Sequence, residues 1–257
     1  MEQGVVDGSL KAKLRARQTL IGVGLSMGCL RSVELVSRTQ FDFAMIDTQH
    51  GHFDKPGATD AIRSIAFAHG PCPLARVSMN EAGPVNDLLD AGALGIVIPM
   101  LESASEAEAA VRHVFYPPLG RRSKGSLAPA VHGPRYAGQA NASIALIVMI
   151  ESPEGVSRAS EILSVKGIDA CLIGSSDLAF AMQTTKGSPE LQRSIDRVVD
   201  AATASGIAAG INVGSAAEVE RWVRRGLSFF LASHDLALLS EKIQAFDASF
   251  AGLRTGR

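Results

Sequence analysis

Cysteine is scarce in this sequence: Cys29, Cys72 and Cys171 are the only three, and none sits in a Cys-x-x-Cys spacing. An odd count of unpaired thiols argues against a disulfide framework and suits a reducing compartment. The lack of a cysteine–histidine cluster argues against zinc. A surplus of charge is missing too, since 25 Lys and Arg stand against 26 Asp and Glu. With no basic stripe and no acidic tail, nucleic acid is not an expected partner. No apolar run approaches the ~18 residues that suggest a membrane span. The opening residues, MEQGVVDGSLKAKLRARQ, lack the apolar segment of a secretory leader. The expectation is a cytoplasmic protein without membrane association.

What is present is a large apolar fraction, 46% of 257 residues, enough for a full core. It is distributed in short runs that recur along the chain. Strands are expected at TLIGVGL (19–25), FDFAMID (41–47), CPLARV (72–77), LGIVIPM (94–100), IALIVMIE (144–151), IDACLIG (168–174), IAAGINV (207–213) and LSFFLAS (227–233). The runs are mostly continuous rather than alternating, as in parallel strands covered on both faces. Helical periodicities separate them: 58–70, 84–92 and 215–226 each end in glycine, and 103–114 opens with serines ahead of glutamates. Eight strand–helix units in one chain of this length give a single (β/α)8 barrel domain over residues 1–257, with an open doubly wound sheet as the alternative. The stretch 115–143 is expected to be a long loop, and such loops more often carry function than not. Within it the basic run RRSKGS (121–126) reads as a solvated loop, with room for a subunit contact or an anionic substrate tail.

In a barrel, active sites lie at the carboxyl ends of the strands, so polar residues there are the candidates. The second strand ends at Asp47, followed by Gln49 and His50; the third ends near Arg76; the fifth at Glu151; the sixth runs into GSSD with Asp177. Two carboxylates with positions left open match the habit of magnesium or manganese. Capping of the helices that follow is the plainer reading for both. His50 titrates near neutrality and suits acid–base work, with Asp47 near enough in sequence to orient it, or it is structural. A guanidinium at Arg76 calls for an anion or a developing oxyanion, or closes the rim as a salt bridge. GVGLSMG (22–28) has Met27 where a dinucleotide fingerprint requires its third glycine, which argues against nicotinamide. GINVGS (210–215) could hold a phosphate, but the eighth strand offers no matching glycine turn.

Six segments in order, FAMIDTQHG, LARVSMNE, LLDAGALGIVIPMLESASEAEAAV, FYPPLGRRSKG, VMIESPEG and LIGSSDLAFAMQ, cover most of residues 20 to 235. In them the chain resembles the metal-dependent (class II) pyruvate aldolases of the 4-hydroxy-2-oxoheptanedioate and 2-dehydro-3-deoxyglucarate aldolase type. The resemblance implies Glu151 and Asp177 as ligands of Mg2+ or Mn2+, with Co2+ a further candidate. It implies His50 as the acid–base group, with Asp47 as the acid of its loop. Arg76 is implied at the substrate oxygen, and Asp90 as an acid that assists a histidine, in some members across a subunit boundary. The amides around Ser175, Ser176 and Asp177 would receive the pyruvate carboxylate. It further implies a homo-oligomer, commonly a hexamer, whose last helix, here within 235–253, packs on a neighbour. The implied reaction is reversible cleavage of a 4-hydroxy-2-oxo acid into pyruvate, or a close analogue, and an aldehyde, through a metal-stabilised enolate. An oxaloacetate decarboxylase and a non-catalytic oxo-acid-binding barrel are the alternatives. A Schiff-base mechanism is disfavoured because Lys55, Lys124, Lys166 and Lys186 lie in loop- or helix-like stretches. Three positions depart from the pattern: Gln49 replaces a glutamate, Met149 a glutamine, and GSSD a GPAD turn. The first two bear on which substrate is used, whereas the turn is expected to matter little because its backbone makes the contacts.

Overall fold

The computed structural model describes residues 9–125 and 127–254. Ser126 of the basic run and the first eight residues of the opening segment lie outside them. Eight parallel strands close into a barrel: β1 Leu20–Leu25, β2 Phe43–Asp47, β3 Cys72–Arg76, β4 Gly95–Ile98, β5 Ala145–Ile150, β6 Ala170–Ile173, β7 Ala208–Asn212 and β8 Phe229–His234. Each strand pairs with its sequence neighbour, and β8 returns to β1, so the open-sheet alternative is excluded.

Strand side chains alternate between two concentric cores. On β2, Phe43 and Met45 enter an inner cluster that also holds Leu74, Val97, Ile147, Leu172 and Phe229. Ala44 and Ile46 join the outer cluster between strands and helices. This two-sided burial explains why the strands read as continuous apolar runs. The phenylalanine rings of Phe43 and Phe229 stack inside the barrel with centroids 4.6 Å apart. A Cβ on Gly22 would overlap the Phe43 ring, so this glycine answers a packing need and not a nucleotide.

The amino-terminal end of the barrel is plugged by a short helix, Ser9–Arg15, that the apolar pattern does not announce. Its Leu10 and Leu14 complete the inner cluster. Between them Lys11 is buried, donating to the Ile144 carbonyl at 2.8 Å and pairing with Asp169 at 2.9 Å.

The helices follow their capping signals. Ser103 and Ser215 each accept the amide hydrogen of the residue three positions on, opening the helices Ala104–Val114 and Ala216–Val223. Two helix ends differ from expectation: Lys55–Ala68 stops on His69, which itself takes the left-handed conformation (φ 52°), one residue before the glycine, and Ala216–Val223 ends on Arg224, two residues before Gly226. The segment 115–143 is also not a bare loop. It contains the helices Ala128–His132 and Tyr136–Ser143, and Arg122 within it is buried between Tyr116 and Tyr136. No helix among the described residues is long and apolar enough to cross a membrane.

Candidate active site

The inward-facing series on each strand runs out at the carboxyl end of the barrel, and there it turns polar. On β2 it goes Phe43, Met45, Asp47; on β3, Leu74, Arg76; on β5, Ala145, Ile147, Met149, Glu151. The period of two therefore delivers an acid, a guanidinium and a second acid to one rim.

Asp47 and Arg76 are register partners on adjacent strands. Arg76 donates from Nε to Asp47 Oδ1 at 2.9 Å and from Nη2 to Oδ2 at 2.6 Å, a bidentate pair. The Gln49 and His50 amides donate to Oδ1 at 3.0 and 3.3 Å. Burial by itself would push the Asp47 carboxyl up, but the Arg76 fork and the two amides outweigh it and hold the group below the usual carboxylate range. Asp47 thus grips the backbone of the histidine loop, and the fork to Arg76 occupies its oxygens where orientation of the imidazole was expected. The rim salt bridge foreseen for Arg76 is present, yet Nη1 stays out of it, with Met149 Sδ 3.9 Å away. The His50 side chain is exposed.

Glu151 is buried, and its Oε1 accepts the Met100 amide at 2.9 Å. Met100 presents that amide from a left-handed backbone (φ 57°), an uncommon state for a non-glycine residue and one that collects at functional sites. Burial pushes the Glu151 carboxyl up; the Met100 amide opposes this, and the nearby Asp177 charge adds to the rise. Asp177 lies in the first turn of the helix Ser175–Ala181, whose cap residue is Gly174. A Cβ on Gly174 would collide with Glu151 Oε2 and Cβ, so only glycine lets the two strand ends close around this carboxylate. Sequence reasoning passed over Gly174 and Met100. The period of two would have found the glycine, since it continues the inward series Ala170, Leu172 on β6.

Two neighbouring acids whose charges oppose each other form a hard-oxygen donor pair that a divalent cation would relieve. Among the described residues no group of three His, Cys, Asp or Glu side chains could share an ion. A cation held by Glu151 and Asp177 would therefore keep positions for water and substrate, the arrangement of a reactive site. Ser175 and Ser176 stand beside Asp177 on the same turn.

Asp90 lies apart from this group, near the end of the helix Ala82–Ala91. Its Oδ1 accepts from Arg122 Nη2 at 2.8 Å, and Arg122 also donates to the Tyr136 hydroxyl at 2.8 Å. The phosphate corner after β7 is closed from within, because the Gly214 amide donates to Glu218 at 2.7 Å.

Comparison with known proteins matches residues 30–241 to the HpcH/HpaI aldolase/citrate lyase family. The chain is 35% identical over 237 residues to a hydroxypyruvate/pyruvate aldolase of Paraburkholderia phytofirmans, covering 88% of this chain and 91% of that one. It is 32% identical over 256 residues to a 4-hydroxy-2-oxo-heptane-1,7-dioate aldolase of Escherichia coli, covering 97% of each. Among solved structures, an HpcH/HpaI aldolase/citrate lyase family protein from Burkholderia cenocepacia superposes with a TM-score of 0.87 at 30% identity, over 95% of this chain and 100% of that one.

Proposed function

The chain belongs to the HpcH/HpaI aldolase/citrate lyase family, and from that premise we propose the rim of Asp47, Arg76, Glu151 and Asp177 as the active site of a class II pyruvate aldolase. The protein is an aldolase of the divalent-metal-dependent kind, a carbon–carbon lyase acting on small 2-oxo acids and aldehydes. Its reaction is the reversible cleavage of a 4-hydroxy-2-oxo acid into pyruvate, or a close analogue, and an aldehyde. The observation that carries this reading is that Arg76 and the Glu151 carboxylate stand on inward positions at the carboxyl ends of β3 and β5, on the same rim. The relatives' names favour neither the decarboxylase nor the non-catalytic alternative.

Glu151 and Asp177 are the residues that would hold the cation, Mg2+ or Mn2+ being the better matches to two carboxylates and Co2+ a further candidate. When bound, the ion supplies Lewis-acid polarisation of the oxo acid. The amides of Ser175, Ser176 and Asp177 open a helix and suit the substrate carboxylate. His50 takes the proton of the 4-hydroxyl. The C3–C4 bond then breaks, the carbinol carbon C4 leaves as the aldehyde, and the electron pair of the bond remains on the pyruvate fragment as an enolate. Arg76, fixed by Asp47 but with Nη1 free of the pair, faces the oxygen on which negative charge develops. Protonation at C3 completes pyruvate.

The same reading takes the whole chain as one barrel domain working in the cytoplasm, in keeping with three free thiols. It also takes the protein as a homo-oligomer, a hexamer in the family's habit. The helix Asp235–Ala248 leaves Leu236, Leu238, Leu239, Ile243 and Phe246 exposed, a face suited to a neighbouring copy. In that assembly Asp90 would serve a histidine of the neighbour.

The test is deuterium uptake into the pyruvate methyl group, followed by NMR, with manganese or magnesium, after metal stripping, and in Glu151→Ala and His50→Ala. Metal-dependent exchange that disappears in Glu151→Ala supports the site. Absence of exchange with either metal overturns it.

A further inference from the structure

Asp235, the first residue of the helix that follows β8, is buried. Its Oδ1 accepts from the Ser26 amide at 2.8 Å, the Ser26 hydroxyl at 3.2 Å and the Leu236 amide at 2.9 Å. Its Oδ2 accepts from the Ser32 hydroxyl at 2.8 Å and the Met27 amide at 3.4 Å. All of these donors are uncharged. A buried carboxylate is costly and is tolerated only where hydrogen bonds satisfy it, so the group calls for a reason. Capping of its own helix is not that reason, because His234 is the cap and accepts the Ala237 amide at 3.3 Å. Asp235 reaches instead to the turn after β1, 209 positions back in the chain.

That turn is the wall on which the histidine loop closes. The Ser26 carbonyl accepts the His52 amide at 2.8 Å. Two residues on, Gly28 is left-handed (φ 66°), and a Cβ there would stand 2.6 Å from the His52 carbonyl oxygen. Turn and loop therefore meet backbone to backbone, with no side chain between them to absorb a shift. The loop 47–52 is gripped at both ends. Asp47 takes the Gln49 and His50 amides at one, and Ser26 takes the His52 amide at the other. The His50 side chain between these grips is exposed, so its place follows the backbone beneath it.

We propose that Asp235 is a positioning residue for His50, acting through Ser26 on the far end of the histidine loop. Asp47 secures the loop from the β3 side and Asp235 from the β8 side. This inference rests on the aldolase reading above, in which His50 takes the 4-hydroxyl proton. Glu151, Asp177 and Arg76 lie outside these contacts. Loosening the grip should therefore slow the proton transfer and leave binding of the oxo acid in place.

The experiment uses Asp235→Asn, which keeps the shape but replaces one acceptor oxygen by a donor that opposes the donors on its side. Steady-state cleavage of 4-hydroxy-2-oxopentanoate and of 4-hydroxy-2-oxoheptane-1,7-dioate is compared with the unmodified enzyme. The kcat is expected to fall ~10–100-fold, the scale on which a misplacement of ~1 Å acts, with KM and manganese affinity unchanged. In protein carrying isotope-labelled histidine, the His50 ring signal, identified by its absence from His50→Ala, is expected to move while those of His69, His113 and His132 hold. Ser32→Ala removes one donor and leaves helix and turn in place; it should give the same pattern at a smaller size, and it decides the matter if Asp235→Asn does not fold. An unchanged kcat, a loss of manganese affinity, a KM that rises as kcat falls, or a His50 signal that stays in place overturns the proposal, while cleavage by the unmodified enzyme leaves the aldolase reading standing. Cleavage of neither substrate by the unmodified enzyme overturns both.

Discussion

Asp47 and Arg76 meet across the β2–β3 register with both carboxylate oxygens engaged by one guanidinium, at 2.9 and 2.6 Å. Both side chains are largely removed from water, at 8% and 14% exposure, so the pair belongs with buried ion pairs. In that class, removing one partner strands the other's charge. Asp47→Ala is expected to lower unfolding free energy by about 3 kcal/mol. The same variant frees Arg76 from its fixed orientation and should reduce kcat more than it raises KM for the oxo acid. Urea unfolding and steady-state kinetics on one preparation check both.

The same carboxylate makes a prediction about acid. Its folded pKa lies below the unfolded value, so the folded state binds its proton more weakly. The stability it contributes is fully present above the unfolded pKa of about 3.9 and is lost as pH falls from there through the lower folded value. Asp47→Asn cannot titrate. Its deficit against the unmodified protein should therefore be constant at pH 5 and above and shrink below pH ~4. Unfolding midpoints of the two proteins, measured side by side from pH 6 to 3, give that difference.

At the opposite end of the barrel the ledger of consequences changes. Lys11 is buried against Asp169, the Ile144 carbonyl and the Phe115 ring. Burial lowers its ammonium pKa and the Asp169 carboxylate opposes that fall. In barrels the amino-terminal face stabilises and the carboxyl face reacts. Lys11→Met should cost about 3 kcal/mol, toward the low end for a broken buried pair because Arg15 also reaches Asp169 at 3.3 Å. The pyruvate exchange rate per folded molecule should be unaltered. Thermal denaturation and NMR exchange separate the two effects.

Which parts of this molecule are legible in the chain follows from the distance over which each signal acts. The eight strands are legible because two cores make both faces of every strand apolar, a signal contained within four to six residues. Asp47, Arg76 and Glu151 are legible because each breaks such a run at its carboxyl end. The helix Ser9–Arg15 is not, since two leucines in seven residues set no period and only the barrel floor gives them a partner. Nor is the tie between Asp90 and Arg122, which joins a helix to a loop 32 positions on. Arg122 lies in a run that reads as solvated, and its burial depends on Tyr116 and Tyr136 closing over it.

Gly174 offers the sharpest test of the acid pair. Its missing side chain is what lets the β6 turn approach Glu151, whose Oε2 and Cβ occupy the space a methyl group would need. Gly174→Ala must displace something, and the neighbouring turn is held by the Gly174 amide to the Ile150 carbonyl at 3.1 Å. Swinging the carboxylate relieves the Oε2 contact but not the Cβ one, so the substitution should both turn Glu151 away from Asp177 and push the ends of β5 and β6 slightly apart. Divalent-ion affinity is then expected to drop ~10–100-fold, the scale on which loss of a ligand's supporting contacts acts. Manganese titration followed by electron paramagnetic resonance reads this directly, with circular dichroism as the measure of fold. Unchanged manganese affinity in a folded Gly174→Ala protein would mean that Glu151 does not hold the ion.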